Sequence, residues 1–408
     1  MCKVKHPSHF ITTKEEYELS VVLHSPSEPR HEIDTDLREK PASHHSQGKG
    51  RLIALDAARG LAVIGMFLQH FALNERNAFV AGNTTLLFVL CGGISYSIMA
   101  QRMKERGMNA AVFRSKMLAR AVFVDVIGYS LILLNTQYGI ILPAYAAMFV
   151  LALMLVYRST RVLVYTTLAL VLLAPPLMIL GMSLLSGAYL LQDIAGGPMS
   201  ALALAPAFTT GIVIGRLELT KKQVAMSLAI FGFIMLVIFQ SMGTYVLPDL
   251  RLNFETWLVN VQGTSATPPD LYAIWPHNAE QPLWHMLLAT APHTASTFQT
   301  LIGLGIALLV VGLMFLVPRR MTVMLTPCAA VGRVALTMYA LQFVVIWILV
   351  LLGIEYSLSD IPFGDLLIVV ISLVIGWIFA RLPNGPLESS MRRFDHIFSS
   401  FDSAPKPK

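Results

Sequence analysis

Apolar segments of about twenty residues, the length that spans a bilayer, recur along the chain from Leu52 to Ala380. They lie near 52–73, 83–100, 118–135, 139–157, 162–181, 199–217, 223–242, 298–317, 333–353 and 364–380. At about 1.5 Å of rise per residue, most can cross a hydrocarbon core of about 30 Å. So many in series exceed what a soluble core buries. The pattern predicts an all-α fold, a polytopic membrane helical bundle of about 10 transmembrane helices. Pro175 and Pro176 fall inside the fifth segment, where two missing amide donors predict a kink.

The basic residues add an orientation. Arg102, Lys104, Arg106, Arg114, Lys116 and Arg120 follow the second segment; Arg158 and Arg161 follow the fourth; Arg216, Lys221 and Lys222 follow the sixth. Arg319, Arg320 and Arg333 follow the eighth, and Arg381, Arg392 and Arg393 the tenth. The opposite loops carry Arg76 and Arg251 with acids such as Asp193, Asp249, Asp270 and Glu280. By the positive-inside rule every even-numbered span ends in the cytoplasm. Both termini are then cytoplasmic in a multi-pass protein of the cell's inner (plasma) membrane.

Composition agrees: 55% of the 408 residues are hydrophobic and 13% charged, about half the charged share of a soluble domain. The net charge of +6 is spread over short clusters between apolar runs. Nucleic-acid binding needs a basic face with aromatic or polar readers, so that class is excluded. The bilayer itself is the first partner. Oligomeric state stays open, a homo-oligomer being one alternative.

Residues 1–51 have no apolar stretch and read as a disordered cytoplasmic tail. Residues 52–381 form the membrane domain and 382–408 a cytoplasmic C-terminal tail. His6, His9, His24, His31, His44 and His45 lack ligand spacing and read as solvated. Three cysteines, Cys2, Cys91 and Cys328, make neither a CxxC pair nor a disulfide framework. The outer loop 243–297 is long and holds Trp257, Trp275 and Trp284, which suit an interfacial flap or the wall of a binding site. Its His277, His285 and His293 are eight residues apart, wider than zinc spacing, so no metal site is expected.

Chemistry concentrates in the first segment. Asp56 and Arg59 are three residues apart and share a helix face near the cytoplasmic end. His70 lies eleven residues beyond Arg59, close to three turns, hence on the same face about 16 Å away. Charges in a span cost about 2.5–3.5 kcal/mol each and are usually paired or functional. A guanidinium suits phosphate recognition and an imidazole suits general-base work near neutral pH. An acyl-CoA anchored at Arg59 would bring its thioester toward His70. A structural ion pair at the membrane edge accounts equally for Asp56 and Arg59, and an interfacial histidine for His70.

Leu55-Asp56-Ala57-Ala58-Arg59-Gly60-Leu61-Ala62, running on to His70, resembles the first-helix signature of the transmembrane acyltransferases. Leu87-Phe88-Val89-Leu90-Cys91-Gly92-Gly93-Ile94-Ser95 resembles their second helix. More narrowly, residues 51–393 are similar to the bacterial relatives of heparan-α-glucosaminide N-acetyltransferase, the DUF1624- and DUF418-like membrane proteins. The supporting segments are Gly211 to Leu219, Pro292-His293-Thr294, Val331 to Tyr339 and Gly385-Pro386-Leu387-Glu388. The resemblance implies an acyl-CoA-dependent enzyme. It moves an acetyl or acyl group from cytosolic acetyl-CoA (acyl-CoA), a donor substrate rather than a resident cofactor, to a hydroxyl or amine of an extracytoplasmic glycan or glycolipid. Arg59, with Asp56, would hold the donor, and His70 would be base or acyl carrier. One departure is Thr84-Thr85-Leu86, where many members carry an acid before the second-helix phenylalanines.

Other polar residues are candidate acceptor or cavity contacts. Asp125 lies inside the third span and is expected to line the donor path or to pair with Arg120 or Arg59. His293 abuts the eighth span. Tyr339 and Gln342 share a face of the ninth, placed for substrate or for interhelical hydrogen bonds. Asn135, Thr136 and Gln137 read as a tight outer turn. The alternative functions are a transporter or flippase for a small solute or lipid, and a non-catalytic binding relative.

Overall fold

The computed structural model describes residues 52–185, 189–262, 282–382 and 385–401. The tail 1–51, with its six histidines, and Trp275 and His277 of the outer loop lie outside the described residues.

Among the described residues the regular elements are helical. They are α1 (Ile53–Phe71), α2 (Asn83–Glu105), α3 (Ala110–Ile132), α4 (Leu142–Leu155), α5 (Thr160–Leu184), α6 (Tyr189–Ala195) and α7 (Ala201–Ile214). Then follow α8 (Lys222–Tyr245), α9 (Leu247–Gln262), α10 (Thr297–Leu316), α11 (Thr322–Arg333), α12 (Ala335–Leu351), α13 (Gly364–Ala380) and α14 (Pro386–Phe401). Each of the ten apolar segments coincides with a helix. Four helical stretches are long and apolar enough to cross a bilayer: Ala78–Glu105, Thr160–Leu184, Lys222–Tyr245 and Thr297–Leu316. A fifth span forms if α11 and α12, which meet at 65°, are taken together. The chain is therefore a helical membrane protein, with four or five candidate spans among the described residues by length and composition. The 14 residues of α4 and of α7 extend about 21 Å, short of a 30 Å core.

The core is organised around α1, which packs against α2, α10, α11, α12 and α13. Its small residues make this close approach feasible. A methyl group on Gly60 would overlap the Cys328 carbonyl of α11, and one on Gly332 would overlap the Asp56 carbonyl. The same device joins α2 to α7, where Gly93 and Gly211 face each other's backbones. With lipid as apolar as the interior, such small-residue contacts supply the packing that associates helices in membranes.

Three features add to the sequence reading. First, α5 runs as one helix that contains Pro175 and Pro176. Pro175 leaves the Val171 carbonyl without its i+4 donor, and the Thr297 hydroxyl of α10 donates to it at 3.0 Å. Second, the basic stretch after the eighth segment is not simply a loop. Residues 322–333 form α11, laid along the N-terminal half of α1, and the chain turns sharply at Val334 into α12. Third, the C-terminal tail contains a docked helix. The Glu388 carboxylate of α14 accepts from the Leu336 and Thr337 amides at 2.8 and 3.1 Å and from the Thr337 hydroxyl at 2.6 Å. It thereby satisfies donors at the first turn of α12. Asp395 of α14 meets Arg120 of α3 at 2.8 Å and Lys116 at 4.0 Å.

The long outer loop is partly ordered into helix. Residues 247–262 form α9, with Trp257 exposed and stacked on Phe254 at 5.9 Å. A short 3-10 turn at Trp284–Leu288 buries His285.

Candidate functional site

Near the N-terminus of α1, Arg59 is held by three helices. One guanidinium nitrogen donates to Asp56 Oδ1 at 3.1 Å and to the Gly332 carbonyl at 3.4 Å, and the other donates to Ser95 Oγ of α2. Ser95 in turn donates to the Cys91 carbonyl at 2.8 Å. Asp56 is buried and Arg59 half-buried. Helical spacing sets the Asp56–Arg59 pair, and the Gly60–Gly332 approach brings the Gly332 carbonyl within reach. A guanidinium has five N–H donors, so these contacts leave capacity for a ligand.

Beyond Arg59 the same face of α1 is apolar. Ala62, Val63 and Met66 are buried in the core. No polar side chain of α1 falls between Arg59 and Gln69.

At the C-terminal end of α1 His70 is buried and turned into the bundle. Its ring lies 4.2 Å from the Tyr138 ring and 5.5 Å from that of Phe343, centroid to centroid. The Tyr138 hydroxyl donates to the His70 carbonyl at 2.9 Å. Gln342 of α12 and His293 of the outer loop are the polar groups acting on the imidazole. Gln342 is fully buried and its amide lies against the ring, close enough to act on it as a poorly aligned hydrogen-bond partner. His70 Nδ1, both Gln342 amide atoms and Gln69 Oε1 are enclosed and make no well-aligned hydrogen bond among the described residues. Buried polar atoms are normally satisfied by protein or ordered water, so this group can take hydrogen bonds from water or from a polar ligand.

His293 completes the mouth of this region. Its Nε2 lies 2.9 Å from Gln69 Nε2. An amide nitrogen only donates, so this imidazole nitrogen accepts and the ring is neutral. Burial pushes the His293 imidazole down to about 4, consistent with that state. The loop is conformationally strained: His293 and Ala295 have φ of 59° and 50°, values rare for residues with a Cβ. His293, Thr85, Gln299 and Thr300 also line a small, partly open pocket between α2, α7 and α10.

The remaining candidates disperse. Tyr339 shares the Gln342 face, but its hydroxyl accepts from the Ile141 amide at 3.0 Å and so fixes the start of α4. Asp125 pairs with neither Arg120 nor Arg59, because α14 brings Asp395 to Arg120 and Asp56 takes Arg59. Its charged neighbour is Asp193, which Tyr129 hydrogen-bonds. Asn135 adopts the left-handed conformation of a turn (φ 49°), and Gln137 donates to the Tyr356 hydroxyl. Among the described residues no three His, Cys, Asp or Glu side chains cluster as metal ligands. Sequence reasoning passed over Gln69, whose only signal was its place beside His70. It also passed over Ser95, one helical position within the second-helix motif.

Residues 256–397 match the family described as Protein of unknown function (DUF418). That description is one the sequence resemblance had named, and it carries no activity. The matched segment runs from the end of α9 into α14. It includes His293, Gln342 and Glu388 and excludes α1 with Arg59 and His70. No curated protein matches the chain.

Proposed function

We propose that the protein is a membrane acyltransferase that moves an acetyl or acyl group from cytosolic acyl-CoA to a hydroxyl or amine of an extracytoplasmic glycan or glycolipid. The observation that carries this reading is the buried His70 imidazole, aimed into the bundle with Nδ1 making no well-aligned hydrogen bond, beside a second neutral imidazole at the mouth of the site. His70 takes the proton of the acceptor as its oxygen or nitrogen bonds to the thioester carbon. The C–S bond breaks and the proton passes to the departing CoA thiolate. Arg59 contributes its remaining donors to the phosphates of acyl-CoA, with Asp56 orienting the guanidinium. The thioester arm must displace the packed Ala62–Met66 stretch to reach His70, so the reading requires a movement of the helices around α1.

In this reading α1, α3, α4, α7 and α13 also span the bilayer of the inner (plasma) membrane. This makes ten spans with both termini cytoplasmic, as the distribution of Lys and Arg favours. Radiolabelled acetyl transfer by the purified full chain tests the chemistry. His70→Ala should lower it by about 10²–10⁴-fold, the range of a general base. Undiminished transfer in that variant removes His70 from the mechanism.

One observation favours a second reading. The break between α11 and α12 resembles the discontinuous helices of transporters. Uptake of solute into proteoliposomes without any acyl donor would support transport instead.

A further inference from the structure

Four enclosed polar atoms at the C-terminal end of α1 have no well-aligned protein partner: His70 Nδ1, Gln342 Nε2, Gln342 Oε1 and Gln69 Oε1. The Gln342 amide and the His70 ring touch each other, and one such contact leaves at least one Gln342 atom and Gln69 Oε1 unmet. The four atoms come from two helices, and they form a mixed set. The two amide oxygens accept, the Gln342 nitrogen donates, and the neutral imidazole nitrogen does either according to tautomer. A cation would satisfy the oxygens and leave the Gln342 N–H against it. A carboxylate or phosphate would satisfy the N–H and oppose the oxygens. Hydroxyl groups donate and accept at once, so a ligand with adjacent hydroxyls meets all four. The walls suit such a ligand: the rings of Tyr138 and Phe343 flank His70 and offer apolar faces to the carbon skeleton between hydroxyls. The approach lies past half-buried Gln69 and His293, on the strained loop before α10.

We infer that Gln342 is the acceptor-binding residue of this site, and that it selects a polyol, a sugar with neighbouring hydroxyls, over an amine. The inference rests on the acyltransferase reading for the word acceptor, but the binding itself needs no acyl donor. One sugar hydroxyl bridges His70 Nδ1 and Gln342 Oε1, and a neighbouring hydroxyl takes the Gln342 N–H. Gln69 keeps its amide nitrogen on His293 and turns Oε1 toward the sugar.

Calorimetric titration of the detergent-solubilised full chain with methyl glucoside, and separately with butylamine, tests this without acyl-CoA present. Saturable binding of methyl glucoside is expected, weakened at least ten-fold in Gln342→Leu and in the more flexible Gln342→Met. The thermal midpoints of the two empty variants are expected to be no lower than that of the parent chain, which separates a lost contact from a lost fold. Equal affinity in parent and variants would overturn the inference. So would saturation by butylamine alone, or no binding of either probe, which would leave an ordered water as the only occupant. Failure of acetyl transfer with methyl glucoside binding intact would remove the enzyme reading and leave the polyol site standing.

Discussion

Near the N-terminus of α1 the guanidinium of Arg59 holds Asp56, Ser95 and the Gly332 carbonyl, whereas at the C-terminal end His70, Gln69 and Gln342 keep four enclosed polar atoms without a well-aligned hydrogen bond. Both ends place costly groups in an apolar setting. The N-terminal group stabilises the junction of α1, α2 and α11 because its main donors are met by protein. The C-terminal group costs stability when empty, since an enclosed donor or acceptor without a partner carries its desolvation penalty of about 1–3 kcal/mol. The same helix thus carries a joint knitted by protein at one end and a loosely paired polar group at the other. The loosely paired end is the one with hydrogen-bonding capacity left for a ligand.

The comparison breaks most readily at the joint itself. Gly332→Val should have the largest effect, because its side chain meets the Asp56 backbone, with no flexible side chain there to yield. A loss at or above the upper end of the roughly 1–3 kcal/mol typical of overpacking is expected, read as a collapsed thermal midpoint or loss of monodisperse protein in detergent. A well-folded variant would mean that α11 does not lie on α1 as described.

A pair of substitutions should then move in opposite directions. Ser95→Ala removes an acceptor from a buried cation and is expected to destabilise by about 1.5–3 kcal/mol, the range for hydrogen bonds to charged groups. Gln342→Leu removes a loosely paired amide of similar volume and is expected to leave the empty protein as stable or more so, by up to about 1–3 kcal/mol. Denaturation midpoints measured side by side check both. Destabilisation by both would show that the C-terminal end is knitted like the N-terminal one.

A pH dependence beside His70 is read over a narrower window, so that only part of it shows between pH 7 and pH 4.5. With burial holding His293 near 4 against an ordinary value of 6.5, both folded and unfolded states are neutral above pH 6.5. Between pH 6.5 and 4 the unfolded chain takes up the proton first, so the fold loses stability progressively as pH falls, and the loss is complete near pH 4. Protonation also ends the acceptance from Gln69. His293→Asn should flatten the change in thermal midpoint between pH 7 and pH 4.5; an unaltered slope would assign the sensitivity to other groups.

Much of this was legible in the chain. Ten apolar segments are helices, because continuous apolar runs between polar breaks have one hydrogen-bonded solution in lipid. Asp56–Arg59 adjacency followed from helical spacing, as did the shared face of Tyr339 and Gln342. What spacing left open was the use of each side chain. Tyr339 and Gln342 looked equivalent, yet the Tyr339 hydroxyl is taken by the Ile141 amide while the Gln342 amide makes no well-aligned hydrogen bond and lies against His70. α11 escaped notice because it is short and follows a basic cluster that reads as loop. α14 looked like tail because its anchors, Glu388 on α12 and Asp395 on Arg120, are long-range.

Local composition therefore determined the helical class, the membrane setting and the positions of the polar residues on each helix, since these depend on hydropathy and on a period of 3.6 residues. Only the tertiary structure decided which of those polar residues are neutralised by neighbours and which remain open. That depends on where backbones and side chains from distant segments come to rest. Gly332 beside Asp56, Asp395 beside Arg120 and Gln342 beside His70 are products of packing that no periodicity along the chain encodes.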